Sequence, residues 1–122
     1  MKAYLKNYRQ SPRKVRLVAD LIRGKSVADA ESALTFMTKR ATGMFHKLLA
    51  SAVANAEHNF KVGSDALYVS AVSVTKGPTL KRIRPVSRGR AHRINKRTSI
   101  VTMVLSQGKP VKVKKTRSIA KK

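Results

Sequence analysis

Apolar residues fall at helical spacing in three stretches of this chain and alternate with polar residues in three others. From Ala3 to Arg9 the residues Tyr4, Leu5 and Tyr8 mix with polar neighbours, which predicts a short half-buried strand. At Ser11 the pattern changes: Ser11 suits an N-cap, Pro12 suits the first helical position, and Val15, Val18, Ala19 and Ile22 follow at helical spacing before Gly24 stops the helix. A second helix is expected to open at Ser26, whose hydroxyl can accept the backbone N–H of Asp29, and to turn Val27, Ala30, Ala33, Leu34 and Met37 inward. The longest apolar stripe is Met44, Phe45, Leu48, Leu49, Ala52, Val53 and Ala56. It predicts a third helix from about Arg40 to Phe60 as the spine of the core, with Phe60 on the same face.

Two later stretches, Leu67 to Val74 and Ser99 to Leu105, alternate and are rich in β-branched residues, and they read as an antiparallel pair. With the first strand they give an α+β domain, three helices packed on a small antiparallel three-stranded sheet. Between the two later strands lie the 22 residues Lys76 to Arg97, with only scattered apolar side chains and nothing to build a core. So long a connection between firm strands is expected to be functional. Paired symmetrically about Arg88, with Val72 opposite Val104 and Val74 opposite Thr102, it would form a long extended β-hairpin. At about 3.3 Å per residue this finger would reach on the order of 35 Å. Pro78 and Pro85 remove backbone donors, so an irregular ribbon is expected rather than a continuous ladder. The expected organisation is a globular unit over 1–75 and 98–108, a finger over 76–97, and a basic tail over 109–122 that is disordered without a partner.

Charge changes the picture from a fold to a function. The chain of 122 residues carries 28 Lys and Arg against 5 Asp and Glu, a formal charge of +23. All five acids fall by Asp65, so residues 66–122 hold 16 cations and no anion. Such self-repulsion calls for a polyanionic partner. The chain has no Cys, which excludes disulfides and thiolate metal sites. No apolar run approaches the ~20 residues of a membrane span, and the first residues lack a signal-peptide stretch, so a cytoplasmic protein without a membrane role is expected.

The cations concentrate in two places. The finger holds nine without one acid: Lys76, Lys81, Arg82, Arg84, Arg88, Arg90, Arg93, Lys96 and Arg97. An ordinary charge run is a solvated surface, but nine like charges in a row of residues with no anion argue for phosphate. Arg predominates, and its planar fork grips phosphate bidentately and stacks on bases. The first helix carries Arg13, Lys14, Arg16 and Arg23, with Lys25 beyond and Lys6, Arg9 and Ser11 before it, opposite the apolar face of Val15, Val18 and Ile22.

Other chemistry finds little footing. His46, His58 and His92 lack partners at metal-ligand spacing. Glu57 and His58, adjacent in a helix, point about 100° apart and make no acid–base pair. The glycines form no phosphate-cradling loop. Among the aromatics, Phe45 and Phe60 are expected in the core, and Tyr4 and Tyr8 in core or sheet-edge packing.

Two long stretches, SPRKVRLVADLIRGK (Ser11 to Lys25) and GPTLKRIRPVSRGRAHRINKRTS (Gly77 to Ser99), with NAEHN (Asn55 to Asn59) between them, resemble the bacterial large-subunit ribosomal proteins of the L-twenty-two family. The resemblance spans about Ala3 to Leu105. Ile100 stands where that family commonly has His, and the basic tail after Gln107 has no counterpart in it. The resemblance implies a structural constituent of the large ribosomal subunit in the cytoplasm, not an enzyme, and a protein without cofactor or small-molecule substrate. Its implied partners are large-subunit (23S) ribosomal RNA, neighbouring ribosomal proteins near the tunnel and, transiently, the nascent peptide. It implies a hairpin that lines the peptide exit tunnel, with the tip Ser87, Arg88, Gly89, Arg90, Ala91 and His92 near the constriction, and roles in subunit assembly and in macrolide response. Two other readings of the residues stay open. A DNA-compacting architectural protein would use the same charge and arm on a duplex, and an RNA-processing enzyme would need a catalytic constellation.

Overall fold

The computed structural model describes residues 1–108, and the basic tail expected over 109–122 lies outside them. In chain order the elements are β1 (Lys2–Tyr8), α1 (Pro12–Ile22), α2 (Val27–Thr35), α3 (Thr42–Phe60), a short 3-10 turn (Ser64–Ala66), β2 (Leu67–Pro85), a tip turn (Ser87–Gly89) and β3 (Ala91–Gln107). The strands form one antiparallel sheet in the order β1–β3–β2. The expected α+β class, three helices on a three-stranded antiparallel sheet, is what the chain adopts.

The helices cover one sheet face. Val15, Val18, Ala19 and Ile22 of α1, and Phe45, Leu48, Leu49, Ala52 and Ala56 of α3, are buried against Ala3, Val69, Val72, Val74, Val101, Met103 and Leu105 of the sheet. Local chemistry sets the helix ends. Ser26 Oγ accepts the Asp29 N–H at 3.1 Å, and Gly24 takes a left-handed φ of +77° just past α1, where a side chain would be strained. Ser11 does occupy the N-cap position of α1, but its hydroxyl makes no capping bond.

Four expectations are corrected. Phe60 is 59% exposed rather than core, because periodicity gives a direction but not how far the core extends, and the whole last turn of α3, Glu57 to Phe60, is exposed. Met37 lies beyond α2, which ends at Thr35, and is half-buried. The third correction concerns register: Val72 pairs with Met103 and Val74 with Val101, one residue off the symmetric pairing.

The cause is a bulge at the root of the finger. Lys76 pairs with Ser99 and Thr79 with Arg97, so Gly77 and Pro78 together oppose the single residue Thr98. Beyond that point the pairing is symmetric about Arg88, with Arg82 opposite Ile94 and Arg84 opposite His92. The ladder is therefore continuous to Pro85, and the irregular ribbon expected from the prolines is not found. Pro78 sits in the bulge, where its carbonyl accepts Thr98 Oγ1–H at 2.7 Å, and Pro85 ends its strand. The tip closes by the Val86 N–H on the Arg90 carbonyl, with Arg88 and Gly89 both left-handed.

Gly77 has no room for a side chain, since an added Cβ would collide with Thr98 Oγ1. Gly77→Ala is expected to cost about 1–3 kcal/mol as an overpacked site, read from urea unfolding of the free protein. Adding Thr98→Ala removes the obstructing atom and should recover part of the loss. An unchanged midpoint in the single variant would show that the bulge yields freely.

Candidate nucleic-acid interface

The finger exposes every cation it carries: no residue from 76 to 97 is buried, whereas Thr98 and Ser99 at its root are. Opposite residues in an antiparallel ladder share a face, which sorts the cations. One face bears Arg82, Arg84 and Lys96 with His92, and the other bears Lys81, Arg93 and Arg97. Arg88 and Arg90 belong to the tip and its exit, and Lys76 lies exposed at the root. A ribbon lying flat on one surface would need charge on one face only. This one presents three cations on each.

At its root the finger meets the N-terminal end of α1 across an open cleft of about 770 Å³. Six cations line it, Arg9, Lys14, Arg40, Arg82, Lys96 and Arg97, and no acid does. They come from the β1–α1 link, α1, the α2–α3 link, β2 and β3. Short ties at the cleft's base hold these pieces together. Ser99 Oγ–H donates to the Gln10 carbonyl at 2.5 Å, Thr98 holds the Pro78 carbonyl, and the Tyr8 hydroxyl donates to the Arg40 carbonyl at 3.4 Å. The positive end of the α1 dipole, with Ser11 and Lys14, also faces this space. Two cations ~10 Å apart repel by about 0.4 kcal/mol in water and by roughly 1.7 kcal/mol at an effective dielectric of ~20. Six around one cleft therefore oppose the free fold and favour any polyanion that enters.

The other basic residues of α1 are placed differently. Arg16 donates from Nε and Nη2 to the Val74 carbonyl at 3.3 and 3.2 Å, and Arg23 donates to the Val72 carbonyl at 2.8 Å while pairing with Asp20 at 3.0 Å. Both guanidinium groups thus close the outer edge of β2 inside the domain. Lys25 is half-buried where the Gly24–Lys25 backbone exchanges hydrogen bonds with Val69, and Arg13 is exposed. Lys6 lies on β1, one residue from the inward Leu5, and so faces the sheet side that the helices leave open. The structure gathers Arg9, Ser11, Lys14, Arg82, Lys96 and Arg97 into the cleft and leaves Lys6 and Lys25 apart from it.

Sequence reasoning missed Arg40, Gln10, Leu80 and Asn95, which also line the cleft. Only the Lys39–Arg40 pair carried a signal, and it lay far from the other cations in sequence. The acids collect elsewhere: Glu31 and Glu57 flank a small groove between α2 and α3 with His46. Among the described residues no three His, Cys, Asp or Glu stand together as a metal site, and no helix is long and apolar enough to cross a membrane.

Known proteins match this chain along nearly all of its described length. The family described as Ribosomal protein L22p/L17e matches residues 3–106. Large ribosomal subunit protein uL22 of Desulfitobacterium hafniense (strain Y51) is 55% identical over 108 residues, covering 88% of this chain and 95% of its own. Its namesakes in Oceanobacillus iheyensis and Staphylococcus aureus (strain JH9) are each 51% identical over 108 residues, with 88% of this chain covered and 96% and 92% of theirs. With the family matching residues 3–106 and relatives identical at this level, the chain belongs to the L22p/L17e family of ribosomal proteins.

Proposed function

We propose that this chain binds large-subunit (23S) ribosomal RNA through the cleft, the exposed side of α1 and both faces of the finger, and that the finger tip lines the nascent-peptide exit tunnel. By family the chain is a structural constituent of the large ribosomal subunit, acts in translation within the cytoplasmic ribosome, and is not an enzyme. The organisation that goes with this reading is a globular unit over 1–75 and 98–108 that seats on RNA, with the finger over 76–97 threaded between RNA segments.

The observation that carries the proposal is the distribution of charge: six cations on five segments around one acid-free cleft, and three on each face of the finger. Phosphate on all sides satisfies that arrangement, because each Lys or Arg that neutralises a phosphate releases condensed counterions. Phosphate contacts fix position without reading sequence, so specificity comes from RNA shape and from the set course of the finger. Neighbouring ribosomal proteins and, at the tip residues Ser87 to His92, the passing nascent peptide are the further partners. An early place in subunit assembly fits a protein whose charge repulsion is relieved only on RNA.

Crosslinking mass spectrometry in cells tests the proposal. Crosslinks from Lys76–Arg97 and from α1 to large-subunit RNA around the exit tunnel are expected. Crosslinks mainly to DNA, or none to ribosomal RNA, would overturn it.

A further inference from the structure

We infer that the cleft between α1 and the finger root takes one unpaired strand of RNA, not a double helix, an inference that rests on the RNA-binding reading above. The cleft is walled on both sides by protein, by the β1–α1 and α2–α3 links on one side and by the finger on the other. A double helix carries its phosphates on the outside of a broad cylinder with its bases stacked within, so it can meet the rim cations but cannot enter. An unpaired strand can enter, because its bases are free to turn away from the backbone.

The uncharged residues of the cleft give the second reason. Leu80 is 41% exposed and offers an apolar contact, while Gln10 and Asn95 offer amides. Leu80 has nothing to offer a phosphate and suits the face of a base, and the amides, although they can donate to phosphate, are able to meet the donors and acceptors of a base edge as the cations are not. Gln10 Oε1 is buried and meets no donor among the described residues, so the amide has unused capacity that a rotation toward the cleft would bring to a base. Arg40, from the α2–α3 link, also lines the cleft, and a guanidinium can stack on a base as well as hold a phosphate. The volume, about 770 Å³, lies within the range of sites that enclose a small ligand.

The test uses the full chain and fluorescence anisotropy at raised salt, where contacts to phosphate alone are weakened. The probes are an unstructured RNA of about eight nucleotides, within single-strand site sizes, a duplex of the same length, and structured large-subunit RNA. The unpaired RNA should bind more tightly than the duplex. Arg40→Ala and Gln10→Ala should each weaken the unpaired RNA by about tenfold, the scale of one lost base contact, while Lys47→Ala on α3, which removes the same charge as Arg40→Ala, should not. Arg40 and Gln10 meet the rest of the chain through backbone carbonyls, which both variants retain. Duplex binding as tight as the unpaired strand, or unpaired binding indifferent to both substitutions, would overturn the inference. If structured RNA binds in that case, the broader reading survives; if no RNA binds, both fail.

Discussion

Replacing Arg82, Arg84, Arg90 and Arg93 together with Gln is expected to weaken binding to structured large-subunit RNA by about a hundredfold or more at ~0.1 M salt, and to flatten the salt dependence by roughly three to four counterions. The four residues come from both faces of the finger and from its tip end, so no single orientation of the ribbon on RNA could spare them all. All four are exposed, and among the described residues their one side-chain hydrogen bond, from Arg82 to the Lys81 carbonyl at 2.8 Å, is local. The fold should therefore survive, with thermal stability equal or slightly higher because like charges have been removed. Binding titrations over a series of salt concentrations separate the possibilities. A parallel loss at all salts would point to lost shape, a flattened slope to lost phosphate contacts, and unchanged affinity and slope would remove the finger from the RNA interface.

The opposite dissection is expected from Phe45→Ala. Phe45 is fully buried near the start of the α3 stripe and is the largest fully buried side chain there, and truncating it removes its transfer energy and leaves a cavity. The loss should be about 3–5 kcal/mol, a large part of the roughly 5–15 kcal/mol that holds a domain together. Urea unfolding of the free protein measures it, and a loss below about 1 kcal/mol would mean that α3 is not the spine of the core. Protein that remains folded should keep the RNA salt slope of the parent, since no cation is lost. Together the two variants would separate a stability determinant in the domain from a binding determinant outside it.

Much of this was legible along the sequence because it is local. The Ser11–Pro12 start, the Gly24 stop, the Ser26 cap and the Phe45 stripe are all decided within a turn or two of chain, and their helices form with bounds close to those expected. What was not legible depends on how distant residues meet. The register slip between domain and finger comes from the bulge in which Gly77 and Pro78 oppose Thr98, 21 and 20 positions further along the chain. Two prolines argued for broken pairing, yet a bulge absorbs the first and the strand's end the second. The cleft was invisible for the same reason: Arg9, Arg40 and Arg82 read as three separate charges until the fold sets them around one space. Arg16 and Arg23 looked like their neighbours Arg13 and Lys14, and only the position of the β2 edge beneath α1 distinguishes them.

That edge has a consequence for the free protein. Inside the domain Arg16, Arg23 and the Gly24–Lys25 backbone occupy the outer side of β2, so no foreign strand can add there. In the finger the outer sides of both strands lie open, since the pairing of β1 with β3 stops at Ser99. Long exposed edges invite a second copy to extend the sheet, and lysines, arginines and prolines along them are what discourages it. The finger's cations thereby keep molecules apart while the protein waits for RNA. In the RNA-bound arrangement proposed above, phosphate would neutralise them and RNA would surround the open edges, out of reach of another chain. A polyanion too short to enclose the finger would cancel the repulsion and leave the edges bare, which makes partial complexes, rather than the free protein, the species most prone to self-association.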